Sequence, residues 1–311
     1  MIVTVVPNPA LDKTMVLPNF TLGKIHRPKE VMTLAGGKGF NFARALRTLG
    51  VQTTVVGPIG GHAGKQLLAL AAQEGLSVDA QEVEAELRTC LTIVDPAADN
   101  RLTEIYEQGA AVTPDEWYAL VHRVGCLLAE AQFLVINGSF PPGTPADGLS
   151  ALLQQAKIHE VPVLLDTHGA QLPAALTLEP ALLKINQFEA AEAAGIRIDT
   201  PTDALEAAVV LQKRGAQAVV ITLGKAGVIG RSQANQSFGW SCPSVPAICS
   251  TGSGDSLLAG IVAELVRGQS LEEAARLGTA AGAANTLQLG AGRFTRQQIV
   301  DILPDIHSLT L

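Results

Sequence analysis

Short runs of β-branched and aliphatic residues recur along this chain at Ile2–Val6, Thr53–Gly57, Phe133–Asn137, Pro162–Asp166 and Ala218–Leu223. Longer stretches of helical spacing separate them, at Gly39–Leu49, Gly64–Glu74, Pro114–Ala129, Ala146–His159, Gln187–Ala194 and Thr202–Arg214. Strands that alternate with helices fold as right-handed βαβ units around a parallel sheet. Runs such as FLVI and AVVI suit strands buried on both faces. The fold class is therefore α/β, and ligands are expected at the C-terminal ends of the strands, where the strand-to-helix turns gather. The last third is almost entirely helical, with candidates at Ser256–Val266, Leu271–Leu287 and Thr295–Leu303.

Two segments break the rhythm. Residues 13–34 and 86–108 alternate apolar and polar side chains around turns at Pro18–Gly23 and Asp95–Asn100, a β-hairpin pattern. Together they predict a small separate sheet, placed as a lid over a site, against a main α/β body formed by 1–12, 35–85 and 109–311. An edge extension of the main sheet is the alternative.

The turns carry chemistry. STGSGDSLLAG, 250–260, sets Asp255 behind Gly252, Ser253 and Gly254 at a helix start. A capped helix would explain Asp255 alone. The two glycines in addition point to a backbone that approaches a ligand, with free N–H groups forming an anion cradle. The helix dipole is expected to lower the Asp255 pKa, so that position rather than basicity carries its effect. AGGKGFNFARALRTLG, 35–50, places Gly37, Lys38 and Asn41 at another helix entry, suited to an anion or a polyol. It lacks the GxxxxGK[ST] spacing of a Walker A loop, as does GGHAGKQ at 60–66. VINGSFPPG ends a strand at Ser139. In LLKINQFE, Lys184 lies on a strand and Asn186 and Glu189 follow, a pair able to hold a hydrated Mg²⁺ or simply to cap the helix. VVITLGKAGVIG, 219–230, reads as a hairpin around Gly224 and Gly227. A Rossmann GxGxxG would follow the first strand, where this chain has PNPALD instead.

The 311 residues are 47% hydrophobic and 16% charged, enough for a large core, and the net charge of −7 argues against a nucleic-acid surface or a basic membrane patch. Four cysteines without a CxxC pair give no zinc framework and suit a reducing, cytoplasmic setting. The opening MIVTVVPNPALD lacks a basic region and reads as a strand rather than a leader, and no stretch is expected to span a membrane.

The ordered set NPALD (8–12), AGGKGFNFARALRTLG, RTCLTI (88–93), NGSFPPG (137–143), LDTHG (165–169), KINQFE (184–189) and STGSGDSLLAG resembles the PfkB carbohydrate kinase family along essentially the whole chain. NPALD, Lys38 and Arg88 are similar to its phosphosugar branch. The resemblance implies a ribokinase-like three-layer α/β/α domain with a mostly parallel sheet and a β-sheet lid. It implies transfer of a phosphoryl group from ATP, with Mg²⁺, to a ketohexose monophosphate, fructose 1-phosphate first and tagatose 6-phosphate or fructose 6-phosphate next. A sugar-phosphate sensor that keeps the fold without the chemistry is the rival of another class.

By the same resemblance Asp255 is the base, and the N–H groups of Gly252, Ser253 and Gly254 form the anion hole. Lys184, Asn186, Thr222, Gly224 and Gly227 bind nucleotide, and Asn186 and Glu189 hold Mg²⁺. Asp12, Gly37 and Asn41 anchor the sugar, while Lys38 and Arg88 take its phosphate with Lys24, Arg27 and Ser139. A homodimer formed through the lid is a further implication. Ser253 stands where the family usually has Ala, and Ile185 where it has Pro.

Overall fold

The computed structural model describes residues 1–311. In chain order its elements are β1 (Ile2–Val5), β2 (Ala10–Val16), β3 (Glu30–Gly36), α1 (Lys38–Thr48), β4 (Thr53–Gly60), α2 (Gly61–Gln73), β5 (Ser77–Val83), β6 (Arg88–Asp95) and β7 (Arg101–Tyr106). Then follow α3 (Pro114–Leu127), β8 (Phe133–Asn137), α4 (Gly148–Ile158), β9 (Val163–Asp166), α5 (Leu172–Leu176), β10 (Leu182–Asn186), α6 (Gln187–Ala194) and α7 (Pro201–Lys213). The chain closes with β11 (Val219–Thr222), β12 (Val228–Arg231), β13 (Ser237–Trp240), α8 (Ser253–Val266), α9 (Leu271–Asn285) and α10 (Arg296–Ile302).

Nine strands form the main sheet in the order β13-β12-β11-β10-β9-β8-β1-β4-β5. Pairing is parallel from β5 across to β11 and antiparallel at β12 and β13. The two-residue period of a strand sends successive side chains to opposite faces. Val3, Val5, Leu134 and Ile136 accordingly join one core with α3, α4 and α7, while Ile2, Val135, Leu164 and Val220 join another with α1, α8, α9 and α10. The parallel sheet is the one expected from the alternating pattern, and the three layers are those the resemblance implied. Helix starts follow local chemistry: Thr113 with Glu116, Thr200 with Asp203, and Thr295 with Gln298 form reciprocal caps on α3, α7 and α10.

On the α1 side, α8 and α9 cross closest at Gly260 and Gly278, where neither has a side chain. A Cβ on Gly260 would stand 2.6 Å from the Gly278 Cα, so the backbones touch there. That close crossing fixes where the first turn of α8 sits relative to the end of α9, which matters for the site below.

A second sheet stands apart, with order β3-β2-β6-β7. It is built from the two segments predicted as hairpins, joined by parallel pairing of β2 with β6. Two details differ from the sequence expectation. The strands reach back to Ala10 and forward to Gly36, beyond the 13–34 boundary. The connection between β2 and β3 is a loop over 17–29 rather than a tight turn at Pro18–Gly23. On one face Leu11 and Ala35 pack with Phe40 of α1 and Leu67 of α2. Val31, Ile105 and Tyr106 lie exposed, as do Leu22 and Ile25 in the loop. The β6–β7 hairpin also touches the far side of the cleft. Asn100 Nδ2 donates to the Ala247 carbonyl at 3.1 Å, and Thr251 Oγ1 donates to Glu104 Oε1 at 3.0 Å.

Candidate active site

The first turn of α8 is where the sequence points, and its geometry explains the glycines. Gly252 is the N-cap with φ of +84°, a conformation that disfavours a side chain, and it has no side chain with which to cap. The N–H groups of Gly252, Gly254 and Asp255 make no hydrogen bond within the chain. Ser253 departs from expectation: its N–H is already spent on the Ser250 carbonyl at 3.1 Å, so Asp255 takes its place among the free donors. Three unpaired N–H groups at the positive end of a helix form an anion site.

Asp255 is buried, and Asn41 Nδ2 donates to its Oδ2 at 3.0 Å. Its pKa corrects the sequence expectation. Burial and the neighbouring Asp166 charge push it up to about 6, against the pull of Lys38, Lys184 and Asn41. The helix dipole was expected to lower it. Removal from water dominates instead.

Behind Asp255 lies a charge cluster organised by Asp166, at the end of β9. Asp166 is fully buried and accepts from Lys184 Nζ at 2.6 Å and from Lys38 Nζ at 2.9 Å. Burial alone would raise its pKa, but Lys184 and Lys38 outweigh burial and hold the carboxylate below its usual range. Burial opposes the charge on Lys38 in turn, and Asp166, Asp255 and Glu189 overcome it, raising that lysine above its ordinary value. Lys184 also abuts the cradle: a Cβ on Gly254 would stand 2.8 Å from its Nζ. Sequence reasoning quoted LDTHG without giving Asp166 a role. The available signal was an acid at the carboxyl end of a parallel strand.

A cavity of about 490 Å³ opens from this cradle, with Thr222, Gly224, Gly227, Ser253 and Gly254 in its wall and Val228, Val245 and Leu257 supplying apolar surface. Three of the five residues expected at the nucleotide, Thr222, Gly224 and Gly227, are thus brought together with the cradle. Lys184 and Asn186 stand outside the lining. Asn186 caps α6, its Oδ1 accepting from the N–H groups of Phe188 and Glu189 at 2.9 and 3.0 Å. Glu189 Oε2 accepts from the Asn186 N–H at 3.1 Å, and Glu189 Oε1 pairs with His168 Nδ1 at 3.0 Å. Burial would raise the Glu189 pKa, but the His168 hydrogen bond and Lys38 lower it, so the carboxylate is ionised. The capping alternative is therefore realised. These oxygens already have partners, so the donor set fits Mg²⁺ that keeps its waters and reaches Glu189 and Asn186 through them.

The remaining candidates divide. Asp12 on β2 accepts from the Gly37 N–H at 3.3 Å, and burial raises its pKa to about 6 against that hydrogen bond and the charges of Arg44 and Arg88. Arg44, missed from the sequence, is buried and donates to the carbonyls of Ala291 at 2.8 Å and Ala35 at 2.6 Å, and pairs with Glu74. Its Nη1 also meets Asn41 Oδ1 at 3.3 Å, on the amide that holds Asp255. Arg88, at the start of β6, donates to the Asn8 carbonyl at 3.0 Å and leaves a buried Nε without a partner. Asn8 Nδ2 reaches Ser139 Oγ at 3.5 Å, which ties Ser139 to the same corner. Lys24 and Arg27 are exposed on the 17–29 loop, without a hydrogen bond or ion pair to any of these groups.

Comparison with known proteins agrees with this geometry. The family model described as pfkB family carbohydrate kinase matches residues 8–298. A 1-phosphofructokinase from Xanthomonas campestris pv. campestris is 33% identical over 305 residues, covering 96% of this chain and 95% of its own. The ATP-dependent 6-phosphofructokinase isozyme 2 of Escherichia coli is 32% identical over 290 residues, 91% of each chain. The crystal structure of phosphofructokinase-2 from Escherichia coli in complex with substrates and products superposes with a TM-score of 0.90 at 30% identity over 98% of both chains. By the length of the family match and the identity of these relatives, the chain belongs to the pfkB family of carbohydrate kinases.

Proposed function

We propose that this kinase moves the γ-phosphoryl group of ATP to a hydroxyl of a ketohexose monophosphate, fructose 1-phosphate first, giving fructose 1,6-bisphosphate. The observation that carries the reading is one adjacency: three unpaired N–H groups and the Lys184 ammonium on one side of Asp255, and Asn41 orienting that carboxylate from the other. Phosphoryl transfer asks mainly for positioning and for fixed positive groups around the migrating phosphate.

In the reaction the acceptor oxygen attacks the γ-phosphorus, the bond to the β,γ-bridging oxygen breaks, and ADP leaves. The proton of the acceptor hydroxyl passes to an Asp255 carboxylate oxygen. The N–H groups of Gly252, Gly254 and Asp255, with Lys184, hold the charge of the phosphoryl oxygens in flight. Asp12, held by the N–H of Gly37, binds sugar hydroxyls, and Asn41 keeps the base aimed at the acceptor. Arg88 offers a guanidinium for the phosphate the sugar already carries, a fork that suits such an anion. Ser139 lies at the same corner. Lys24 and Arg27 join only if the 17–29 loop folds inward when substrate arrives, and in that role the second sheet acts as a lid. Lys38, a third exposed at its side chain, lies beside Asp166 and serves the phosphoryl end of the site rather than the sugar's own phosphate. Mg²⁺ carried near Asn186 and Glu189 would neutralise phosphate oxygens of the nucleotide.

The names of the relatives support two acceptors, fructose 1-phosphate and fructose 6-phosphate; tagatose 6-phosphate is a third candidate. Coupled ADP release with each decides among them, with fructose 1-phosphate expected to give the highest kcat/KM. Binding of these sugars with no ADP release from any of them would instead favour a sensor.

Asp255→Asn should lower kcat by about 10²–10⁴-fold with KM for ATP nearly unchanged. The base works unprotonated, so the native rate should be full only well above pH 6, be halved near it and fall further as pH drops below. A kcat within tenfold of native in the Asn variant would remove Asp255 from that role. Arg88→Ala should raise KM for the sugar phosphate at least about tenfold and leave that for ATP within about threefold; the reverse pattern would move Arg88 to the nucleotide. We also propose that two copies pair through the second sheets, covering Val31, Ile105, Tyr106, Leu22 and Ile25. Light scattering should read a dimer that Ile25→Asp weakens, and a monomer at all concentrations would dismiss the pairing.

A further inference from the structure

A helix start is usually held by the side chain of its own N-cap residue. Here that residue is Gly252, which has none, and any side chain that capped the free N–H groups would compete with the phosphate for them. The turn must therefore be held from elsewhere. We infer that Asn285, the last residue of α9, is a positioning residue that holds the phosphoryl cradle in shape from outside while leaving its donors free.

Asn285 is fully buried, and its carboxamide uses all four of its hydrogen-bonding positions. Nδ2 donates to the Thr251 carbonyl at 2.9 Å and to Ser253 Oγ at 3.2 Å. Oδ1 accepts from Ser256 Oγ at 3.2 Å and from the Gly292 N–H at 2.7 Å. The first two bonds grip the chain on either side of Gly252, and the third grips the residue after Asp255. The fourth reaches the segment in which Ala291 accepts from Arg44, whose guanidinium also meets Asn41. One amide thus joins the anion donors to the group that aims the base. None of its bonds goes to Gly252, Gly254 or Asp255 N–H. The contacts span 29 to 34 residues toward the turn, so only the crossing of α8 on α9 brings them together.

This role rests on the reading of residues 252–255 as the phosphoryl cradle. The test uses the full chain with Asn285→Ala and Asn285→Asp. Asp keeps the volume and the two accepted bonds but loses both donors. Displacement of reacting groups by as little as an ångström costs about 10²-fold. Both variants should therefore lose about 10- to 100-fold in kcat, with KM for ATP and for the sugar phosphate within about threefold. Hydrogen exchange should rise at Ser253 and Ser256, the two hydrogen-bonded amides of 251–256, and nowhere else in α8. ADP with aluminium fluoride and sugar phosphate should bind more weakly in proportion to kcat, while ADP alone binds as before. A merely structural residue would lower the melting temperature and leave kcat and exchange at 251–256 unchanged below it, which would overturn the inference. Full activity in the Asp variant would overturn it too. An unmodified chain inactive with every ketohexose phosphate would instead defeat the kinase reading, and the exchange at 251–256 would still decide whether Asn285 holds the turn.

Discussion

Two lysines aimed at one point repel each other, and this site works only because a buried carboxylate lies between them. Asp166 accepts from both Lys184 and Lys38 at the closed end of the cleft. Taking either partner from a buried ion pair typically costs about 3–5 kcal/mol, because the remaining charge is left in a poor medium. The trio is therefore stable as a unit and carries one net positive charge. That surplus faces the unpaired N–H groups of α8, where an anion is wanted. The two lysines differ in freedom. Lys184 is nearly sealed in, pressed against Gly254, whereas the side chain of Lys38 is a third exposed. In the proposed transfer, one is a fixed part of the cradle and the other is free to follow the phosphate.

The same cluster ties α1 to several parts of the molecule. Its first residue, Lys38, reaches Asp166; Asn41, one turn on, reaches Asp255; Arg44, the next turn, ties the carbonyls of Ala35 and Ala291. Spacing of three residues puts these side chains along one side of the helix. A single short helix thus connects the second sheet, the strand ends and the last third of the chain. The hydrogen bonds from Asn100 to Ala247 and from Thr251 to Glu104 close the circuit, because they join the second sheet to the segment that leads into α8. The second sheet is thereby bonded to the chain that enters α8 as well as to the start of α1.

What was legible in the sequence is what depends on neighbours in the sequence. The parallel strands, the helices with their Thr and Asn caps and the two hairpins all follow from local spacing. β5 escaped because SVDAQEV has no apolar run and sits at the sheet edge, and β13 because SFGW is short and interrupted by glycine. At the site, Asp255, Lys184 and Thr222 could be named from motifs. Arg44 and Asn285 could not, since their bonds go to residues distant in the chain, Ala291 for Arg44 and Thr251 for Asn285, and for Asp166 only its place at a strand end gave a signal. The length of the β2–β3 connection was misread for a related reason. Pro18–Gly23 has turn chemistry, but the register of β2 on β3 is set by the pairing of Ala10 with Gly36, which leaves 17–29 outside the ladder.

The error over Asp255 is the more instructive one. A helix dipole is a local property and is visible in the sequence; burial and the charge of Asp166 are not. The dipole contributes on the order of 1 kcal/mol at such a position, whereas desolvation of a fully buried carboxylate shifts its pKa by up to several units. The larger effect wins, and the result is a carboxylate near 6. At neutral pH it is still mostly ionised, yet it holds a proton better than an exposed aspartate. A base is most effective when its pKa lies close to the working pH, since it must be both unprotonated and willing to accept. In the proposed transfer, position and basicity therefore act together. The burial that Asn41 and the Lys38–Asp166–Lys184 cluster make tolerable is also what gives Asp255 its strength as a proton acceptor.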